Sequence, residues 1–252
     1  MPDSRRHRGA HPEDRRLFSP AAVPVLRTAV AELSWLLGRG YAENSALKLV
    51  GDRHNLVERQ RTAVRRCACP DAVLAARLAR RVPAAALAGR RLWIDGFNVL
   101  NTLESALSGG VVLLGRDGAA RDLAGVHGTY RRVEETAPAL RLFAARLAGW
   151  GVAEAVWWLD APVGNSGRLA ALMRELAAAE TRPWRVETVP SPDRTLIGSG
   201  ELIATADSAV LDAAAGPGWF SLAAEVVASD VPDAWSLDLS DREPPPMDGC
   251  PK

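Results

Sequence analysis

Short apolar segments that end near an aspartate recur along the second part of this 252-residue chain. The first two cover residues 91–95 and 155–160, a third covers residues 184–190 and a fourth covers residues 201–205. Helical patterns separate these segments, and a parallel sheet needs such helices to bring the chain back to the start of each next strand. The alternation predicts an α/β domain with a parallel sheet over residues 89–240. Gly96, directly after the first segment, predicts a turn there.

Carboxylates follow the predicted strands at matching positions. They are Asp95, Asp160, Asp193 and Asp207. The carboxyl ends of parallel strands share one edge of a sheet, so we expect the four side chains to converge in one crevice. Packed carboxylates repel each other, and a hard divalent cation such as Mg²⁺ or Mn²⁺ would relieve that repulsion and assist phosphodiester hydrolysis. The alternative is that Asp is simply frequent at strand ends and helix caps.

The charge of the chain is unevenly distributed. Residues 1–91 carry 18 Lys+Arg and 8 Asp+Glu, a net charge of +10, whereas the remainder carries 13 and 22, a net charge of −9. Apolar residues at helical spacing predict a small all-helical domain over residues 19–88. Its basic balance suggests an anionic partner such as nucleic acid, with Arg53, Arg59 and Arg61 as candidate phosphate contacts. The alternative is a solvated or internally paired helix face.

Both ends of the chain are polar. Residues 1–18 and 241–252 hold little that could be buried, and we expect a disordered leader and a disordered tail. No apolar run approaches the roughly 20 residues that span a bilayer, and the N-terminus lacks the apolar core of a signal peptide, so we expect a cytoplasmic protein with no membrane partner. Cys67 and Cys69 are interpreted as buried thiols, because no convincing zinc-ligand spacing accompanies them.

Three segments resemble motifs of the PIN-like nuclease superfamily, in its NYN branch. Residues 92–99 resemble the first motif, a hydrophobic strand followed by Asp-Gly-Tyr/Phe-Asn. Residues 157–161 are similar to the central strand that ends in Phe-Asp-Ala, and residues 205–208 to the later Thr-Ser-Asp motif. The whole chain, including residues 47–53 and 165–168, also resembles an uncharacterised prokaryotic family in which a helical N-terminal domain precedes a PIN-like domain.

The resemblance implies a fold and a metal site. The fold is a parallel sheet of strand order 3-2-1-4-5, flanked by helices, and the activity is divalent-metal-dependent cleavage of RNA. The implied metal ligands are Asp95, Asp193 and Asp207, with Asp160 close by. This chain departs from the family pattern at Pro192, which stands where the third motif usually has Ala, and no His or Lys stands out as a proton donor.

The resemblance also implies residues that support the ligands or touch the substrate. Asn98 would orient Asp95 or contact the substrate. Ser208 or Asp212 would support the last ligand, and Arg168 is a further candidate for substrate binding.

Two enzyme classes fit the sequence poorly, and one non-enzymatic class stays open. A haloacid-dehalogenase-type phosphatase needs a second acid two residues after the first, where this chain has Phe97. Dinucleotide binding would need a Gly-x-Gly-x-x-Gly turn, which the sequence lacks. A non-catalytic RNA- or protein-binding module would keep the sheet without needing metal at Asp95 and Asp207. The sequence leaves the RNA, the cleavage specificity and homo-oligomerisation open.

Overall fold

A computed structural model describes residues 7–123 and 130–240. No helix in these two ranges has the length and apolar character to cross a bilayer. The helices are α1 Asp14–Leu17, α2 Val23–Leu37, α3 Glu43–Arg53, α4 Glu58–Cys67, α5 Asp71–Arg80, a 3₁₀ turn Ala84–Leu87, α6 Gly96–Leu107, α7 Thr136–Gly149, α8 Ser166–Ala179, α9 Pro192–Ile197, α10 Ser208–Ala213 and α11 Leu222–Asp230. The strands are β1 Arg91–Asp95, β2 Val112–Leu114, β3 Ala120–Asp122, β4 Glu154–Asp160, β5 Trp184–Val189, β6 Leu202–Ala204 and β7 Ser236–Asp238.

The main sheet has four parallel strands in the order β5-β4-β1-β6. Helices α6, α7, α8 and α11 pack on one face through Leu92, Ile94 and Trp157. Helices α9 and α10 pack on the other face, where the rings of Trp93 and Trp158 lie 4.7 Å apart. Successive side chains of a strand point to opposite faces of the sheet, so each of these apolar strands packs against the helices on both faces. The predicted parallel sheet flanked by helices is confirmed.

Helix α6 begins immediately after β1, where the sequence analysis expected only a turn. A Cβ atom on Gly96 would lie 2.5 Å from the side chain of Leu159 and 2.9 Å from the carbonyl oxygen of Trp158. Glycine therefore allows the start of α6 to approach β4 closely. The turn prediction was wrong because Gly96 serves this close approach, and the chain continues directly into a helix.

The last strand joins a second sheet. Strands β3, β2 and β7 form it in that order, with β2 antiparallel to β3 and parallel to β7. The place beside β6 is taken by the single residue Trp219, which bridges to Ile203 on one side and to Arg81 on the other. Residues 216–218 are Gly-Pro-Gly, a sequence that interrupts strands. The described strands therefore follow the implied order at its first four positions, 3-2-1-4, but β7 is not a fifth strand of this sheet.

The N-terminal helices are packed against the rest of the chain. Leu33 of α2 and Val64 of α4 share one apolar cluster with Leu113 of β2. Helix α5 is fixed by Trp219, whose indole Nε1 donates to the carbonyl oxygen of Arg77 at 2.8 Å. The predicted N-terminal helical region is confirmed, and it shares its core with the second sheet.

The expected disordered leader is wrong for residues 7–18. Phe18 is fully buried, and the buried carboxylate of Asp14 accepts two hydrogen bonds from Arg59, at 2.5 and 2.8 Å. The polar composition misled the prediction because these charges are neutralised by partners far along the chain. Residues 1–6 and the tail 241–252 lie outside the described residues, so their predicted disorder stays a prediction.

Candidate functional site

A cleft of 520 Å³ lies between the carboxyl edge of the main sheet and the N-terminal helices. The four predicted aspartates all line it: Asp95, Asp160, Asp193 and Asp207. Asp95 is buried, Asp160 and Asp207 are partly buried, and Asp193 is exposed. The structure thus brings the four carboxylates to one edge, as the strand-end pattern predicted, while their chemical roles stay predictions.

Thr205 connects two of these carboxylates. Its hydroxyl donates to Oδ2 of Asp95 at 2.8 Å and accepts a hydrogen bond from the backbone N–H of Asp207 at 3.0 Å. The register of β1 and β6 places the two residues next to each other, because Ile94 pairs with Ala204 and the next residues along the chain are Asp95 and Thr205. The end of β6 therefore fixes Asp95 relative to Asp207.

The ionised form of three of these carboxyl groups is electrostatically unfavourable. Burial raises the pKa of Asp95 to about 7, and the hydrogen bond from Thr205 opposes the rise. The negative charges of Asp193, Asp207 and Asp160 raise that pKa further. Burial also raises the pKa of Asp160 and of Asp193, and each has another carboxylate adding to the effect. A group of carboxylates that resist ionisation would gain from a cation placed among them.

Asn98 forms a hydrogen bond with the backbone just before Asp207. Its Oδ1 accepts a hydrogen bond from the N–H of Ala206 at 2.8 Å, so among the described contacts it orients the approach to Asp207 and does not orient Asp95. Asp207 itself caps α10, with Oδ1 accepting from the N–H groups of Ala209 and Val210 at 2.8 and 3.0 Å. Capping holds the Asp207 side chain in one position at the cleft.

A cluster of arginines and aspartates supports helix α10, which begins directly after Asp207. Arg77 of α5 donates to both carboxylate oxygens of Asp212, at 2.7 and 2.9 Å, and to Asp117 at 2.7 Å. Arg77 and Arg121 both reach the hydroxyl of Ser208, at 3.4 and 3.5 Å. Ser208 and Asp212 thus connect helix α10, which follows Asp207, to the N-terminal helices. Arg77 and Arg121 were not predicted from the sequence, because no local pattern marks pairs so distant in sequence.

The three arginines expected to contact phosphate, Arg53, Arg59 and Arg61, are not among the residues that line the cleft. Each has an acidic partner within the N-terminal region: Glu32 for Arg53 at 3.3 Å, Asp14 for Arg59 at 2.5 Å and Asp52 for Arg61 at 2.7 Å. The internally paired helix face, the alternative considered from the sequence, describes these residues better.

Two other arginines of α4 reach the cleft. Arg65 lies 3.9 Å from Glu43 with its side chain about half exposed, and Arg66 donates to the carbonyl oxygen of Asp122. They follow Arg61 on the same helix, so the sequence located the basic helix but not the side that meets the cleft. Arg168 lies in a separate cavity.

The thiol at this site is unsuited to catalysis. Cys69 lines the cleft, and burial raises the pKa of its thiol to about 11. A thiol that stays protonated near neutral pH is neither a nucleophile nor a metal ligand. Across residues 7–123 and 130–240, no group of three His, Cys, Asp or Glu side chains is arranged to hold a metal ion as it stands.

Comparison with known proteins places the chain in a family. The family described as domain of unknown function DUF5616 matches residues 84–225, more than half of the chain. The chain belongs to this family. A second family, described as protein of unknown function DUF434, matches residues 25–80. An uncharacterised protein of Methanocaldococcus jannaschii is 30% identical over 186 residues, which make up 74% of this chain and 88% of the relative. No solved structure matches the chain.

The cleft lies where the two matched regions meet. All four carboxylates belong to the DUF5616 region, whereas Arg65, Arg66 and Arg77 belong to the DUF434 region. The candidate site is therefore composed of residues from both.

Proposed function

We propose that this member of the DUF5616 family is a divalent-metal-dependent ribonuclease with a PIN-like catalytic domain. The observation that carries the proposal is the cleft, in which four carboxylates at the edge of a parallel sheet face arginines of α4 and α5. An acidic edge suits a metal ion, and a basic wall opposite suits the phosphates of RNA. The strand order 3-2-1-4 and the motif after β1 support the PIN-like assignment.

The residues fit Mg²⁺ or Mn²⁺ by the chemistry of their donor atoms. Hard divalent cations prefer carboxylate oxygens, and a cation beside Asp95 would favour the ionised form of this buried carboxyl, whose pKa burial raises to about 7. Asp95, Asp193 and Asp207 would hold the ion, with Oδ1 of Asp207 kept on its capping bonds and the exposed side chain of Asp193 turning toward the other two. When bound, the ion would lower the pKa of a water molecule and offset the charge on the phosphoryl oxygens.

Other side chains of the protein would accept the proton, position the ligands and bind the RNA. Asp160 is partly buried beside Asp193, which adds to the rise in its pKa, so it would accept the proton of the attacking water. Asn98 and Thr205 would keep the end of β6 in place through their bonds to Ala206 and Asp207. Arg65 and Arg66 would bind phosphates of the RNA across the cleft.

The test is cleavage of structured and single-stranded RNA by the purified chain, with Mn²⁺ and with chelator. We expect Asp95→Asn to reduce the cleavage rate by about a hundredfold or more, because about 3 kcal/mol of transition-state stabilisation would be lost. Asp233→Asn is the matched control, since Asp233 is exposed and does not line the cleft.

The results separate the nuclease from a binding module on the same fold. Equal cleavage by the wild type and Asp95→Asn, or cleavage that persists in chelator, would mean that the acid cluster is not the active site. RNA binding with no cleavage in any divalent metal would favour the non-catalytic alternative.

A further inference from the structure

A second cavity, of 410 Å³, lies between the segment that precedes α7 and the start of α8. Three arginines line it, Arg131, Arg132 and Arg168. Arg132 and Arg168 are exposed, and Arg131 is partly so. This cavity shares no residue with the acidic cleft. It is therefore a separate basic site.

The three guanidinium groups have no acidic partner among the described residues. Other arginines of the chain do; Arg146, for example, makes two bonds to Asp230, at 2.7 and 2.8 Å. Two acids of the neighbouring segments pair with other residues: Glu104 pairs with Arg8, and Glu135 pairs with His7. Three like charges around one cavity repel each other, and an anion placed between them would remove that repulsion.

The walls of the cavity are held by hydrogen bonds. The side-chain amide of Asn165 donates to the carbonyl oxygen of Tyr130 at 3.0 Å, and the N–H of Tyr130 donates to the carbonyl oxygen of Gly164 at 2.9 Å. Asn165 has the left-handed backbone angle φ of 68° just before α8, whose positive end adds to the positive potential. The arginines thus extend from a fixed backbone, which reduces the entropy lost when a ligand binds.

The cavity adjoins the acidic cleft. Phe97 lines the cleft, Tyr130 lines the cavity, and their ring centroids are 5.1 Å apart. Four residues, 161–164, connect Asp160, at the cleft, to Asn165, at the cavity. A strand of nucleic acid in the cleft would therefore reach the cavity within a few nucleotides.

We propose that Arg131, Arg132 and Arg168 form a second phosphate-binding site for the RNA backbone, holding the nucleotides next to those in the cleft. The choice of RNA rests on the proposed function. Planar guanidinium groups bind phosphate oxygens in pairs, and continuity with the cleft favours one extended polyanion over an acidic peptide.

The test measures RNA binding by fluorescence anisotropy in chelator, so that cleavage plays no part. For a single-stranded 16-mer, we expect Arg131→Gln/Arg168→Gln to raise Kd by about tenfold or more and to reduce the slope of log K against log salt by about 1.4, at ~0.7 per lost phosphate contact. A tetranucleotide, which would fill the cleft alone, should bind the variant and the wild type equally. The control is Arg141→Gln/Arg185→Gln, which removes two arginines that are 66% and 60% exposed and lie outside both cavities.

Three results would overturn the site. The first is an equal Kd and salt slope in the Arg131→Gln/Arg168→Gln variant and the control variant. The second is absence of RNA binding by the wild type. The third is that the Arg131→Gln/Arg168→Gln variant loses binding to a poly-glutamate peptide but binds RNA as the wild type does. If length-dependent RNA binding is lost as expected while the wild type cleaves no RNA in Mn²⁺, the phosphate site stands and the nuclease proposal falls.

Discussion

Asp95 and Asp117 are both buried aspartates, 6% and 1% exposed, yet their surroundings are opposite. The carboxylate of Asp117 accepts hydrogen bonds from Arg121, at 2.7 and 2.9 Å, and from Arg77, at 2.7 Å. These arginines hold the pKa of Asp117 well below its usual value despite burial. Asp95 has only the hydroxyl of Thr205 within the described contacts, and burial raises its pKa to about 7.

The difference distinguishes a structural carboxylate from a candidate functional one. The cluster around Asp117 is fully paired, and through Arg121 it also holds the carbonyl oxygen of Ala206 at 2.8 Å. The paired region therefore fixes the backbone at Ala206, directly before Asp207. The region around Asp95 has uncompensated negative charge, which is typical of sites that bind a cation or transfer protons.

The largest expected effect comes from breaking the paired region. Asp117→Asn removes the charge shared by Arg77 and Arg121, and Arg121, 6% exposed, would lose its acidic partner. We expect the free energy of unfolding to fall by about 3–5 kcal/mol, as for other broken buried ion pairs. Urea denaturation at pH 7 measures this loss. Asp95→Asn should show no such loss at the same pH, and a decrease below about 1 kcal/mol for Asp117→Asn would contradict a structural role of the cluster.

The pH dependence of stability should have opposite signs in the two regions. The folded-state pKa of Asp95, about 7, exceeds its unfolded value of 3.8, so the folded state binds more protons between these values and stability falls as the pH rises from about 4 to 7. Asp117, with a lowered pKa, contributes stability that is lost as the pH falls below about 4.

Urea denaturation of Asp95→Asn across pH 4.5–8 tests the first of these signs. Removal of the titrating group should make the variant more stable than the wild type at pH 8, by about 1.4 kcal/mol for each unit of pKa shift that Asp95 has in the wild type. The two proteins should be nearly equal close to pH 4.5. Parallel curves for the two proteins would show that Asp95 has no raised pKa, and Asp233→Asn should follow the wild type.

The smallest effect is expected at the contact between the two candidate ligands. Thr205→Val removes the hydroxyl that donates to Asp95 and accepts from the N–H of Asp207. We expect a loss of about 1–2 kcal/mol of unfolding free energy, greater at pH 8 than at pH 5, because an ionised carboxylate accepts the stronger hydrogen bond. Thr205→Ser keeps the hydroxyl and should restore most of the stability. An equal loss in Thr205→Ser, which keeps the hydroxyl, would contradict a stabilising role for these two hydrogen bonds.

The sequence predicted the main sheet better than residues 7–18 and the connection after β1. Apolar segments such as residues 155–160 are buried on both faces, so their composition alone identifies them as parallel strands. Helix α6 was missed because Gly96 usually indicates a turn, and the order in residues 7–18 was missed because it depends on Asp14 finding Arg59. Both misses involve contacts between segments that local patterns do not connect.

The sequence by itself determined that carboxylates would gather at one edge of a parallel sheet, because strand ends and helix returns are local properties of the chain. The tertiary structure decided which charges are paired. Arg77 lies 40 residues from Asp117 and 135 from Asp212, and only folding shows that it supports helix α10, which follows Asp207. Folding likewise decided that Arg65, and not Arg59, lines the cleft, because packing determines which side of α4 faces the main sheet.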